Sequence, residues 1–122
     1  MKHVLAVLIM GLMLVTVACQ PVEMTARDTI AASKGFLDSQ AAIHGECATT
    51  PTLPVCGLIT KGNAAKHLAI DALEEYCAGP QFEAGGACVS PKDKTQKNQL
   101  QGKLTAALTN LNQIIADIKA LK

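Results

Sequence analysis

The clearest pattern lies in the last third of the chain. Leu100, Leu104, Ala107, Leu111, Ile114, Ile118 and Leu121 follow one another at spacings of 4, 3, 4, 3, 4 and 3. This is an unbroken heptad seam, the period that keeps apolar side chains on one side of a helix. Leu108 and Ile115 widen the seam into a face suited to two neighbours. Ahead of it, Ser90-Pro91-Lys92-Asp93 offers an N-cap, a first-turn proline and an acid three residues on. The pattern predicts a helix over about 91–121.

Two earlier stretches carry the same period. Positions 22, 26, 30, 33, 37 and 41 are apolar except for Ser33. Thr25 and Asp28 stand at capping-box spacing, and Gly45 suits the position just past a helix end. A helix is predicted over about 25–44. The next stretch uses Leu58, Ile59, Ala65, Ala69, Leu73 and Tyr76, with Ile70 beside them. Pro54 fits its first turn and Gly79-Pro80 stops it, predicting a helix over about 54–77. Gly62 inside it costs about 1 kcal/mol relative to Ala, and lets a neighbouring helix approach closely. No internal repeat and no β-type alternation is present. The fold class predicted is all-α, an up-down-up three-helix bundle over residues 25–122.

Composition sharpens this picture through its cysteines. Cys47 and Cys56 bracket the first loop; Cys77 and Cys88 bracket the second. In such a bundle the two loops lie at opposite ends of the middle helix, roughly 35 Å apart. A disulfide needs Cα atoms within about 7 Å. Only the pairs Cys47–Cys56 and Cys77–Cys88 satisfy that geometry, each stapling one loop. Chain entropy gives such short loops about 2.5–3 kcal/mol each. That is substantial for a core with only Phe36, Tyr76 and Phe82 as aromatics. The alternative use of these cysteines is zinc, with His44, Cys47 and Cys56 gathered around it. Their separation departs from the close Cys pairs of structural zinc sites, so no metal is expected.

The fifth cysteine belongs to a different segment. Lys2 precedes an apolar run from Val4 to Val17, shorter than a bilayer span. The run ends in Val-Thr-Val-Ala-Cys at residues 15–19. This resembles the lipobox of bacterial lipoproteins, with Ala18 and Cys19 at its two strictest positions and Thr16 where Leu is usual. The resemblance implies a signal peptide over residues 1–18, a diacylglycerol on Cys19 as the new N-terminus, and a short tether over 19–24. It also implies membrane attachment facing the periplasm or the cell surface. Gln20, in place of a retaining Asp, favours the outer membrane. Two alternatives stay open: ordinary cleavage, which leaves a soluble protein with a free Cys19, and an uncleaved anchor. Lipidation of Cys19 leaves four cysteines, which can pair.

Charge then excludes a partner class. Of 11 Lys and Arg, Lys2 falls in the leader, so the mature chain balances ten bases against ten acids. Phosphate recognition needs a basic excess, so no nucleic-acid partner is expected, and the neutral surface offers no polybasic patch for anionic lipid. Asp71, Glu74 and Glu75 end the second helix, and Lys92, Lys94 and Lys97 open the third. In the antiparallel arrangement these are expected to pair across helices.

Catalytic equipment is not apparent. The chain has no Gly-x-Ser-x-Gly elbow, no phosphate-cradling glycine loop and no Cys-x-x-Cys motif. Gly85-Gly86 reads as a loop inside the second disulfide. His44 suits the negative end of a helix, and His67 lies mid-helix as a surface residue. Phe82 is the large apolar residue outside the helices. It either caps the bundle end or contacts a partner. The expectation is a non-enzymatic interaction or structural module of the cell envelope, without cofactor and with a protein partner. The alternative is an exported small-ligand or metal-binding helical protein.

Overall fold

A computed structural model describes residues 21–82 and 87–121. The signal segment, Cys19 and Gly85-Gly86 lie outside the described residues. Three helices run in the order α1 (Val22–Ile43), α2 (Pro54–Cys77) and α3 (Lys94–Ala120), with a 3-10 turn at Gly45–Ala48 after α1. Each helix packs against the other two, most extensively α2 against α3. The protein is the expected up-down-up bundle, stapled by Cys47–Cys56 and Cys77–Cys88.

The core follows the sequence periods closely. Ala26, Ile30, Ser33 and Leu37 are buried on α1. Ile59, Ala65, Ala69, Leu73 and Tyr76 are buried on α2, and Leu104, Leu111, Ile115 and Ile118 on α3. Ala41, expected on the α1 face, is exposed, lining an open groove with Cys56 and Ile59 at the start of α2. Leu121 lies past the end of α3 and is exposed. Gly62 stands where all three helices meet. A Cβ built on it would lie 2.6 Å from Leu37 Cδ2 and 3.6 Å from Ile114 Cγ2. The close approach expected of that glycine is realised.

The helix ends depart from expectation, each for a local reason. α1 begins three residues before Thr25. Pro21 serves as the N-cap, and its carbonyl accepts from the N–H groups of Met24 and Thr25 at 3.1 and 3.2 Å. Val22 packs against the core and Glu23 favours the positive helix end, so residues assigned to the tether become the first turn. At its other end His44 caps α1, and Gly45 opens the 3-10 turn instead of ending the helix. That turn carries Cys47 to within 5.5 Å of Cys56, Cα to Cα.

α2 starts at Pro54 as expected but does not use Gly79 as its left-handed stop. Ala78 holds that conformation, with φ 55°. Gly79 N–H bonds Glu74 O at 3.1 Å and Ala78 N–H bonds Glu75 O at 3.4 Å, the double closure of a Schellman motif. α3 begins at Lys94, not at Pro91, because residues 88 and 89 are tied to the end of α2. Cys77 and Cys88 have Cα atoms 4.4 Å apart, and Val89 N–H bonds Cys77 O. Ser90 to Lys92 must first cross to the axis of α3. Asp93 then becomes the cap, its Oδ2 accepting from Gln96 N–H at 2.9 Å.

Two outcomes test this packing. A left-handed alanine costs about 1–2 kcal/mol that glycine does not, against about 0.4–1 kcal/mol of added chain entropy. Ala78→Gly is therefore expected to stabilise by about 0.5–1 kcal/mol, read as a raised Tm. Gly62→Val overfills the junction of the three helices. It is expected to cost about 1–3 kcal/mol in denaturant unfolding, and an unchanged midpoint would contradict the close approach.

Candidate functional site

The residues with chemical potential collect at the two ends of the bundle, about 36 Å apart along the 24 residues of α2. At one end the 3-10 turn folds the chain back from α1 to α2 over the Cys47–Cys56 disulfide. A groove of about 620 Å³ opens there between Ala41, His44, Cys47, Cys56 and Ile59. A second groove of about 290 Å³ lies on the other side of His44. Leu53 and Val55 at the start of α2, and Ile118 and Leu121 at the end of α3, form its apolar wall.

His44 thus stands between two mainly apolar grooves. It is placed there by its cap position, where its N–H bonds Gln40 O at 2.9 Å. Its ring Nδ1 lies 2.9 Å from Glu46 Oε1. The hydrogen bond with His44, and one from its own backbone, hold the exposed Glu46 carboxyl below the usual carboxylate range. Leu121, which lines the second groove with this pair, is 43% exposed, and Ile43, the residue before His44, is 65% exposed. This arrangement suits the capture of an apolar side chain with one hydrogen-bonding group. Zinc has no place in it, because Cys47 and Cys56 are bonded to each other. Among the described residues no group of three or more His, Cys, Asp or Glu could hold a metal ion.

At the other end, Phe82 is 40% exposed. Its neighbour Gln81 turns inward instead and is buried. The Gln81 side-chain oxygen accepts from the Arg27 guanidinium, and its Nε2 donates to the carbonyls of Gly79 and Pro80 at 3.2 Å. This polar clamp fixes the second loop against α1. Nothing in the sequence marked Gln81 or Arg27, since a glutamine after Gly-Pro carries no periodic signal. His67 is exposed on α2, away from both ends.

The antiparallel charge pairing forms with a different partner from the one expected. Lys103 Nζ reaches Glu75 Oε2 at 2.5 Å, while Lys92, Lys94 and Lys97 form no ion pair among the described residues. Lys103 lies 28 residues from Glu75, at the level where α2 and α3 already run side by side. The three earlier lysines sit before or within the first turn of α3. Being exposed, the Glu75–Lys103 pair contributes about 1 kcal/mol or less.

Tyr76 is buried beneath this end, and burial, reinforced by the nearby Glu23 charge, pushes its phenol above the ordinary value. The folded state therefore keeps a proton that the unfolded chain releases above about pH 10, and stability falls as pH rises through that window. Tyr76→Phe is expected to flatten this alkaline limb in thermal melts between about pH 9 and 11, whatever it costs at neutral pH. An unchanged slope would show that Tyr76 titrates alike in both states.

The two disulfides fit an oxidising compartment outside the cytoplasm. No helix among the described residues is long and apolar enough to cross a membrane. Compared with known protein families, curated proteins and solved structures, the chain matches none.

Proposed function

We propose that this protein is a lipid-anchored cell-envelope lipoprotein whose helical bundle is a non-enzymatic interaction module. One observation carries the anchor. Four of the five cysteines pair with each other inside the bundle, which leaves Cys19, two residues ahead of Pro21, with a separate role. Lipidation at the lipobox-like sequence supplies that role and removes a spare thiol from an oxidising compartment. The attachment faces the periplasm or the cell surface, with Gln20 favouring the outer membrane.

The interaction role rests on the end of the bundle remote from Cys19. The grooves beside His44 are apolar, flanked by exposed Ile43 and Leu121, and held rigid by a disulfide. Their chemistry fits an apolar segment of a protein partner. A second reading, a site for a small exported ligand, draws on the larger groove, whose volume falls in the range of small-molecule pockets.

The anchor is tested by the intact mass of the native protein purified from its membranes. The expected mass is residues 19–122 plus lipid, increased on reduction by the hydrogens of two disulfides. Cys19→Ser is expected to lose membrane fractionation while keeping both disulfides. A lipid-free mass with a reactive Cys19 thiol would instead make the protein soluble and overturn the anchor.

A further inference from the structure

The two disulfides sit at opposite ends of α2, and the helix acts differently on their sulfurs. Cys56 is the third residue of α2, in its first turn. The N-cap Leu53 supplies no side-chain bond there, and the turn holds no acid. The positive end of the helix is thus open to stabilise a thiolate at Cys56. Cys77 is the last residue of α2 and is 1% exposed. A thiolate there would meet the negative end of the helix away from water, and both effects disfavour it.

The Cys47–Cys56 bond also lies open to a reagent. Both cysteines line the groove of about 620 Å³, with Cys47 half-buried and Cys56 buried. Gly45 and Gly57 line it beside them, and a Cβ built on either meets nothing within 4 Å. His44 and Lys61 line the same groove, and no acid among the described residues does. Glu46, bonded to His44, borders the second groove instead. The larger groove therefore favours an anionic reagent over a cationic one. Cys56 Sγ lies 3.6 Å from Thr50 O, an acceptor for the proton that a reduced Cys56 carries.

From these features we infer that Cys47–Cys56 is a thiol-exchange site, whereas Cys77–Cys88 is a fixed structural bond. The reagent is a thiolate, from a small thiol or from a cysteine of another protein. It attacks Cys47 Sγ, since Cys47 is the more exposed of the two. A new S–S bond forms as Cys47–Cys56 breaks, and the electron pair leaves on Cys56 Sγ. That thiolate takes a proton from water and donates it in a hydrogen bond to Thr50 O. A second thiolate then attacks the sulfur held on Cys47, and Cys47 leaves and is protonated in turn. The protein disulfide gains two electrons, and two thiols are oxidised to one disulfide. Stabilising the reduced form in this way makes a disulfide easier to reduce. The state of the bond decides whether the 3-10 turn after His44 is tied to α2. The inference stands apart from the lipid anchor, because the exchanging pair does not include Cys19.

The test incubates the native protein with reduced glutathione over a time course. Samples are acidified and alkylated, and each cysteine is read by peptide mass spectrometry. Cys47–Cys56 is expected to open about tenfold faster than Cys77–Cys88, or more, with the helical circular dichroism retained. The mixed disulfide trapped early is expected on Cys47. In a Cys47→Ser variant, the alkylation rate of Cys56 against pH is expected to have its midpoint below the ordinary thiol range. An apolar peptide with one cysteine is run beside glutathione. Faster reaction with the peptide assigns the thiolate to a protein cysteine, and faster reaction with glutathione assigns it to a small thiol. Equal rates at the two bonds, earlier opening of Cys77–Cys88, or opening only as the helical signal is lost overturns the exchange site. Glutathione trapped on Cys56, or an ordinary or raised midpoint there, overturns it as well.

Discussion

The structure depends on how closely α1 and α3 approach the middle helix. α2 turns Gly62, Ala65, Ala69 and Ala72 inward, so its buried face is made largely of small residues. Leu37 from α1 and Ile114 from α3 come within van der Waals reach of Gly62. Larger side chains then fill the space between layers: Ile30, Leu73, Leu104 and Leu111 are almost wholly buried. A chain with three aromatic residues builds a dense interior in this way, by bringing backbones together instead of filling gaps with rings.

Close packing along the middle leaves the ends to be held by other means, and each end uses a disulfide with local hydrogen bonds. At the His44 end a 3-10 turn delivers Cys47 to Cys56. At the other end the Cys77–Cys88 bond, the Val89 to Cys77 hydrogen bond and the Arg27–Gln81 clamp gather three segments. The result is a bundle with two chemically different ends. One carries apolar grooves beside a His–Glu pair. The other carries exposed apolar side chains, and lysines that form no ion pair among the described residues. The attachment proposed for Cys19 and the apolar grooves therefore belong to opposite ends of the bundle.

Local pattern carried much of this. The seam from Leu100 to Ile118 is helical and core-facing because its period matches the helix, whatever packs against it. The disulfide partners followed from covalent reach, since a helix of about 36 Å keeps Cys47 and Cys56 away from Cys77 and Cys88. The helix ends were less legible. Thr25 and Asp28 have capping spacing, yet burial of Val22 draws α1 back to Pro21. Ser90 and Pro91 form a plausible helix start, yet the tie at Cys88 and Val89 keeps them in the crossing segment. Of the site, His44 and Phe82 stood out by residue type, whereas the grooves and Gln81 did not.

The sequence by itself therefore determined the number of helices, their buried faces and which cysteines join. Those properties arise from spacing along one chain and from fixed covalent lengths. The tertiary structure alone decided the left-handed alanine at 78, the inward glutamine at 81, and the pairing of Glu75 with Lys103. It also decided which apolar residues are exposed at each tip. Each of these is a competition between alternatives that are nearly equal locally, and it is settled by groups that arrive from another helix.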